Sequence, residues 1–311
     1  MKIAFLFPGQ GSQAVGMGKS LFETFEPSKA VFDAADRALG LSLSGLCFNG
    51  PEDDLKLTEN TQPALLTSSI AALRALEGRG VKAAGVAGHS LGEYSALVAA
   101  KALEFEDAVR TVRLRGRYMQ EAVPVGKGAM AAILMLDVGK VEEACLEAAQ
   151  GEIVSPANLN CPGQIVIAGD AGAVDRAIAA CTARGARRAI KLAVSAPFHC
   201  GLMKPAELRL QTDLQGLSFA AAAVPVYRNV DGAPQSSADA LRDGLVRQVS
   251  LPVQWQKTLE TMAADGFDTF IEVGSGTVVS GLVKKTVKGA RVLNVEDPAS
   301  LEKTLQALEA A

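Results

Sequence analysis

Cysteine, histidine, aromatic residues, long apolar runs and an excess of either charge are all scarce or absent in this chain. The five cysteines, Cys47, Cys145, Cys161, Cys181 and Cys200, are odd in number, far apart and without any C-x-x-C pair. That pattern excludes a disulfide framework and a zinc ribbon, and makes a reducing, cytoplasmic setting the default. The apolar run Ile3 to Phe7 stops at Pro8-Gly9, too short for the core of a signal peptide. Ala129 to Leu136 falls far below the roughly 20 residues of a membrane helix. Thirty-one basic residues against thirty-four acidic ones leave −3, so neither nucleic acid nor an anionic membrane is expected as a general partner. With only 5% aromatics, thirty glycines point to tight strand-to-helix turns rather than to a β-sandwich. What is present, 49% hydrophobic and 21% charged, describes a soluble globular chain and excludes disordered, collagenous and coiled-coil classes. A length of 311 residues suits two domain-sized units, or one large α/β domain carrying an insertion.

Ile3 to Phe7 reads as a strand buried on both faces of a parallel sheet, followed by the Gly-rich loop Pro8 to Gln13. Thr61 to Leu76 has helical spacing, with Pro63 near its start and Gly78 past its end. Gly85 to Gly88 is a short buried strand and Glu93 to Ala100 the helix leaving it. Thr269 to Val273 repeats this pattern, with Gly274-Ser275-Gly276 and the helix Val278 to Val283 behind it. Between these parts, about Gly128 to Val194 reads βαββαβ, the ferredoxin-like order. Asn158 to Gly163 there is taken as the link between two strands, and Ser236 to Ala240 as a surface loop. The expected architecture is an α/β-hydrolase-like large domain with a parallel sheet, residues 1–127 and 195–311, interrupted by a ferredoxin-like subdomain, 128–194.

The strongest chemical signal is Gly88-His89-Ser90-Leu91-Gly92, a G-x-S-x-G between a short strand and a helix. A nucleophile elbow turns so sharply there that only Gly fits on either side, and the Ser hydroxyl is exposed above a helix N-terminus. A serine nucleophile needs a base. His89 adjoins Ser90 and should point away from it, so His199, in Ser195-Ala196-Pro197-Phe198-His199, is the base by elimination. The third triad member stays open: Asp137, Asp170 and Asp175 lie in the right interval, and a backbone carbonyl would serve as well. The Gly-rich loop offers N–H groups as oxyanion donors. Two nucleotide-like patterns fail. Gly9-x-Gly11-x-x-Ala14 lacks the acidic strand end that a dinucleotide site needs, and Gly18-Lys19-Ser20 has Gln13 where a P-loop needs Gly. No cofactor and no metal are expected.

Arg115 lies within the apolar stripe of the helix Glu106 to Glu121, beside Ala108, Val112 and Met119, while Arg110, Arg113, Arg117 and Glu121 face the other way. A guanidinium inside needs an anion, either a buried Asp or Glu or the carboxylate of a ligand, which its planar fork can grip twice.

Together, Phe7 to Gln13, Thr61-Gln62-Pro63-Ala64, Gly88-His89-Ser90-Leu91-Gly92-Glu93, Arg115-Gly116, Pro197-Phe198-His199 and Gln248 resemble the malonyl-CoA:acyl carrier protein transacylases of fatty-acid synthesis. The resemblance runs to near residue 285. The chain is also similar to the acyltransferase domains of polyketide synthases, where Phe before the histidine goes with malonyl selection, as Phe198 would here. The resemblance implies Ser90 as nucleophile, His199 as base oriented by the main-chain carbonyl of Gln248, and Gln10 and Leu91 as oxyanion N–H donors. It implies Arg115 as the grip on the malonyl carboxylate and Asn160 as a cleft residue. Malonyl-CoA and acyl carrier protein would be the partners, with the coenzyme A thioester as substrate rather than cofactor. Ser275 departs from the family, which often has Pro between the two glycines, and it is expected to lie far from the chemistry. A serine esterase or thioesterase, and a non-catalytic carrier-binding module, are the alternatives. Arg115 speaks against a neutral-ester esterase and the Ser90–His199 pair against a dead module. Arg187, Arg188 and Lys191, with Lys284, Lys285 and Lys288, are candidates for receiving an acidic carrier.

Overall fold

In the computed structural model, which describes residues 1–310, ten strands form two sheets. They are β1 (Ile3–Phe7), β2 (Gly85–Gly88), β3 (Gly128–Leu134), β4 (Val154–Cys161), β5 (Gln164–Asp170), β6 (Arg188–Lys191), β7 (Val226–Tyr227), β8 (Pro234–Gln235), β9 (Thr269–Val273) and β10 (Arg291–Val295). The first sheet runs β10-β9-β1-β2-β7-β8 and is parallel except for the short edge strand β8. β1 lies at its centre with apolar side chains buried on both faces, which is why its sequence is continuously apolar rather than alternating. The chain leaves β1 toward β2 on one side and returns through β9 on the other. The topological switch point therefore lies outside the carboxyl ends of β1 and β9, on the same edge of the sheet as the turn that follows β2.

The second sheet, β4-β5-β3-β6, has antiparallel neighbours throughout and carries the helices Val138–Ala149 and Ala171–Ala183. That is the ferredoxin-like order expected of the sequence. The sheet and its helices enclose a core of their own, with Ile133, Val141, Ile167 and Val174 at its centre.

Two segments differ from expectation. Asn158 to Cys161 is strand rather than link, because β4 is an edge strand and accommodates Pro156 through register shifts on either side of Asn158 and Leu159. Its free edge is stitched to the other part of the chain: the Leu159 N–H donates to the Val253 oxygen and the Val253 N–H to the Ala157 oxygen, both at 2.9 Å. Ser236 to Ala240 is not simply a surface loop. The Ser237 hydroxyl accepts from the Ala240 N–H and caps the helix Ala238–Gln248. All five cysteines are buried and free. No helix among the described residues is long and apolar enough to cross a membrane.

Candidate active site

β2 passes into the helix Gly92–Ala99 through a turn with almost no room. A Cβ on Gly88 would lie 1.9 Å from the main chain of Gly92, and one on Gly92 would lie 2.3 Å from the Phe7 oxygen. Between them Ser90 takes a left-handed conformation, φ 52°. The turn is clamped from below: the Ser90 N–H donates to Asn229 Oδ1 at 2.6 Å, and Gln248 Nε2 donates to the Ser90 oxygen at 2.9 Å.

Ser90 Oγ lies 2.7 Å from His199 Nε2, and His199 Nδ1 lies 2.8 Å from the main-chain oxygen of Gln248. A carbonyl can only accept, so Nδ1 carries the proton and Nε2 presents its lone pair to the serine hydroxyl. Gln248 is the last residue of its helix, where carbonyls have no partner in the next turn, and one of them is spent on the imidazole. The three aspartates considered for this role are engaged elsewhere. Asp137 caps the Val138–Ala149 helix, Asp170 accepts from the Ile153 N–H, and Asp175 pairs with Lys191. His89 turns away from Ser90, as expected, with Nε2 2.9 Å from Asn160 Oδ1 and its ring against Trp255. Burial, reinforced by the Arg115 charge, pushes His199 down to about 3. The imidazole is neutral at neutral pH and free to accept a proton.

Arg115 is 2% exposed. Of the two anions expected for it, a buried Asp or Glu is not in contact with it. Nη1 donates to Gln62 Oε1 at 2.7 Å, and Nη2 to Gln248 Oε1 at 2.8 Å and Ser90 Oγ at 3.2 Å, all neutral oxygens. Nε has no partner among the described residues. Burial lowers the guanidinium, which Tyr94 and Glu93 partly offset.

A cleft of about 660 Å3 opens between the two sheets, with Gln10, Ser90, Arg115, Asn160, Phe198 and His199 among its walls. Leu91 is buried behind Ser90, and Gln10 is exposed on the loop after β1. The main-chain N–H groups of both donate to no acceptor among the described residues. Ser275 is nearer to this loop than expected: its hydroxyl donates to the Ser12 oxygen at 2.9 Å. Arg187, Arg188, Lys191, Lys284, Lys285 and Lys288 are exposed. Both groups adjoin cleft residues, Leu192 in the first case and Leu282 in the second.

Sequence reasoning assigned no role to Gln62, Asn229 or the carboxylate of Glu93. Gln62 and Glu93 stand within motifs, but nothing in Arg228-Asn229-Val230 marks the residue that, just past β7, holds Ser90 at the end of the neighbouring β2.

An α/β frame with a serine–histidine pair at an elbow, a guanidinium beside the hydroxyl and two unused main-chain N–H groups on the adjoining turns can form and break acyl–oxygen bonds on a side chain; such a site defines an acyl-group enzyme. The acyl transferase domain family matches residues 4–305, and the chain belongs to that family. It is 50% identical over 306 residues to the malonyl CoA-acyl carrier protein transacylase of Escherichia coli K12, covering 98% of this chain and 99% of that one. Identity to the Bacillus subtilis protein of the same name is 48% over 309 residues, covering 99% and 98%. Among solved structures, an acyl carrier protein S-malonyltransferase from Vibrio cholerae superposes with a TM-score of 0.96 at 47% identity, covering 98% of this chain and all of that one. A malonyl-transacylase in complex with its type II PKS acyl carrier protein gives the same TM-score and identity over 99% of this chain and 100% of that one.

Proposed function

We propose that this enzyme moves a malonyl group from malonyl-CoA to the pantetheine thiol of acyl carrier protein, by way of a malonyl ester on Ser90, in support of fatty-acid synthesis in the cytoplasm. The observation that carries this reading is the position of Arg115, a buried cation with only neutral ligands, 3.2 Å from the hydroxyl that would be acylated. A substrate carboxylate is the partner whose charge it lacks.

His199 Nε2 takes the proton of Ser90 Oγ as the oxygen attacks the thioester carbonyl, and the Gln248 oxygen steadies the imidazolium through Nδ1–H. The N–H groups of Gln10 and Leu91 receive the oxyanion, each contributing about 3 kcal/mol at the transition state. The tetrahedral species collapses by breaking the C–S bond, and the leaving coenzyme A sulfur takes the proton from His199. The pantetheine thiol enters next, gives its proton to His199 and attacks the ester, and Ser90 leaves with that proton restored. One thioester replaces another, so the site must exclude water rather than drive the transfer. Phe198 and Asn160 shape the cleft around the acyl chain. The chemistry calls for no cofactor. We read residues 1–127 and 195–311 as the catalytic domain and 128–194 as the subdomain that closes the cleft. The same family and site leave the esterase and the non-catalytic module without an observation in their favour. Incubation with malonyl-CoA, with and without carrier protein, followed by intact-mass measurement tests the proposal: a malonyl adduct that disappears as carrier gains the same mass is expected, and hydrolysis without transfer would refute it.

A further inference from the structure

Beneath the elbow lies a carboxylate that none of these steps uses. Glu93, in the first turn of the Gly92–Ala99 helix, is fully buried. Its Oε2 accepts from Gln248 Nε2 at 2.8 Å and from the Asn229 main-chain N–H at 3.0 Å, while Oε1 has no hydrogen-bond partner among the described residues. A side-chain amide has one donor end and one acceptor end, and which way it faces is decided by its neighbours. At Gln248 the donor end meets only acceptors, the Glu93 carboxylate and the Ser90 carbonyl, with Asn229 Oδ1 farther off at 3.5 Å. The acceptor end must then face Arg115, where Oε1 receives Nη2. Turned the other way, the amide would set N–H against N–H.

Charge points the same way. Arg228 and Arg115 are the cations that face Glu93, with the Tyr94 hydroxyl also nearby. Arg228 is paired with Asp231, whereas Arg115 has no carboxylate in contact. Glu93 is the anion that balances it, one amide away.

We propose that Glu93 is a positioning residue for acyl-group selection: through the Gln248 amide it fixes the Arg115 guanidinium in the orientation that receives the substrate carboxylate, and it supplies the countercharge. This builds on the malonyl-transfer reading and names what sets its selectivity. Burial pushes the Glu93 carboxyl up to about 7, against the hydrogen bonds from Gln248 and Asn229, so the link loosens as pH falls through that value.

The experiment compares specificity constants for malonyl-CoA and acetyl-CoA in wild-type enzyme, E93Q, Q248M and the double variant, with thermal unfolding alongside. Acetyl has no charge for Arg115, so it reports the serine–histidine machinery alone. E93Q should lower the malonyl-to-acetyl ratio by about tenfold, chiefly through the malonyl KM. Q248M keeps the main-chain oxygen for His199 but also removes the hydrogen bond that clamps the Ser90 carbonyl, so it should lower the same ratio on top of a loss shared by both substrates, and the ratio in the double variant should fall little further. The malonyl preference of wild type should weaken below pH 7, and that of E93Q should not change with pH there. A folded E93Q whose ratio shifts less than about threefold, or which loses both substrates equally, would overturn the proposal. If E93Q does not fold, Q248M decides from the other end of the link, an unshifted ratio overturning it. Wild-type enzyme that takes up acetyl but not malonyl would overturn the underlying reading and the selection role with it; intact malonyl transfer with an unshifted ratio would overturn only the role of Glu93.

Discussion

The guanidinium of Arg115 and the imidazole of His199 converge on one oxygen: Ser90 Oγ lies 3.2 Å from Nη2 of the first and 2.7 Å from Nε2 of the second. The cation therefore acts on the base as well as on the substrate, since its charge disfavours the imidazolium that forms when the serine gives up its proton. A carboxylate seated on Arg115 cancels part of that charge. Binding the proper substrate thus raises the basicity of the histidine that activates the nucleophile. Arg115→Ala, or free malonate bound to wild type, should move the His199 titration upward from about 3, by roughly one unit in an electrostatic environment of this kind. NMR titration of the two histidines checks it, and an unmoved His199 in both cases would break the coupling.

Stability separates the two fates open to Arg115. Arg115 borders the cleft and no carboxylate touches it, so water can reach Gln62 and Gln248 in its place and Arg115→Ala should cost less than about 3 kcal/mol even though Glu93 loses its balancing charge. Malonyl transfer should fall by about a hundredfold or more while acetyl uptake is relatively favoured. Loss of about 3 kcal/mol or more, with an unchanged malonyl-to-acetyl ratio, would assign the residue to the fold instead.

Ser90→Ala should abolish the acyl adduct and leave folding nearly intact, because the smaller side chain fits the same left-handed turn. Gly92→Ala should behave in the opposite way. Its Cβ would meet the Phe7 oxygen at 2.3 Å and force β1 and the elbow apart, a loss of about 4 kcal/mol or more. Circular dichroism melting beside intact mass distinguishes the two variants.

His199 has a folded pKa well below its ordinary value, so at acid pH the unfolded chain binds a proton that the folded one refuses. Stability from this group is present above about pH 6.5 and is lost as pH falls toward 3, with a slope of about 1.4 kcal/mol per pH unit. Glu93 works in reverse between about 4.5 and 7, where the folded chain holds the extra proton and stability declines as pH rises. The two slopes offset each other near pH 5.5. His199→Asn should therefore remove the acid-side loss in denaturant titrations at pH 4 and leave a protein whose stability falls with rising pH up to about 7.

Charge reversal at Lys284 and Lys285, which stand exposed at the end of the helix bordering the cleft, should raise KM for acyl carrier protein and spare that for malonyl-CoA. Equal effects on both substrates would dissociate this surface from the carrier. Lys191 is a weaker choice because Asp175 already pairs with it.

The parts of the molecule legible in the sequence are those built from local chemistry. β1 is marked by an unbroken apolar run, the elbow by two glycines enclosing three residues between a short strand and a helix, and the small sheet by its alternation of strands and helices. Arg115 is visible as a charge inside an apolar stripe. Its side-chain partners are not, because Gln62 and Gln248 come from distant segments and meet at Arg115 only in the folded chain. Composition and spacing leave the partner of His199 open between three aspartates and a backbone carbonyl; the family resemblance points to the main-chain oxygen of Gln248, and that is the group in contact with His199. Asn158 to Gly163 misled for a related reason: proline and asparagine suggest a turn, yet an edge strand tolerates both when another segment pairs with its outer side.

An enzyme that releases one thiol and admits another at every turnover works in constant contact with sulfur nucleophiles. Its own five thiols are kept out of that traffic. Each cysteine is buried, and burial drives their thiols upward, Cys47 and Cys145 to about 12 and Cys200 to about 11. Thiolate is the form that attacks disulfides and thioesters, and almost none of it forms on such residues at neutral pH. Coenzyme A and pantetheine disulfides, which accumulate when a cell is oxidised, consequently find no handle on this protein. The acyl group, for its part, meets a single competent side chain, an oxygen, with no ionised thiol to divert it.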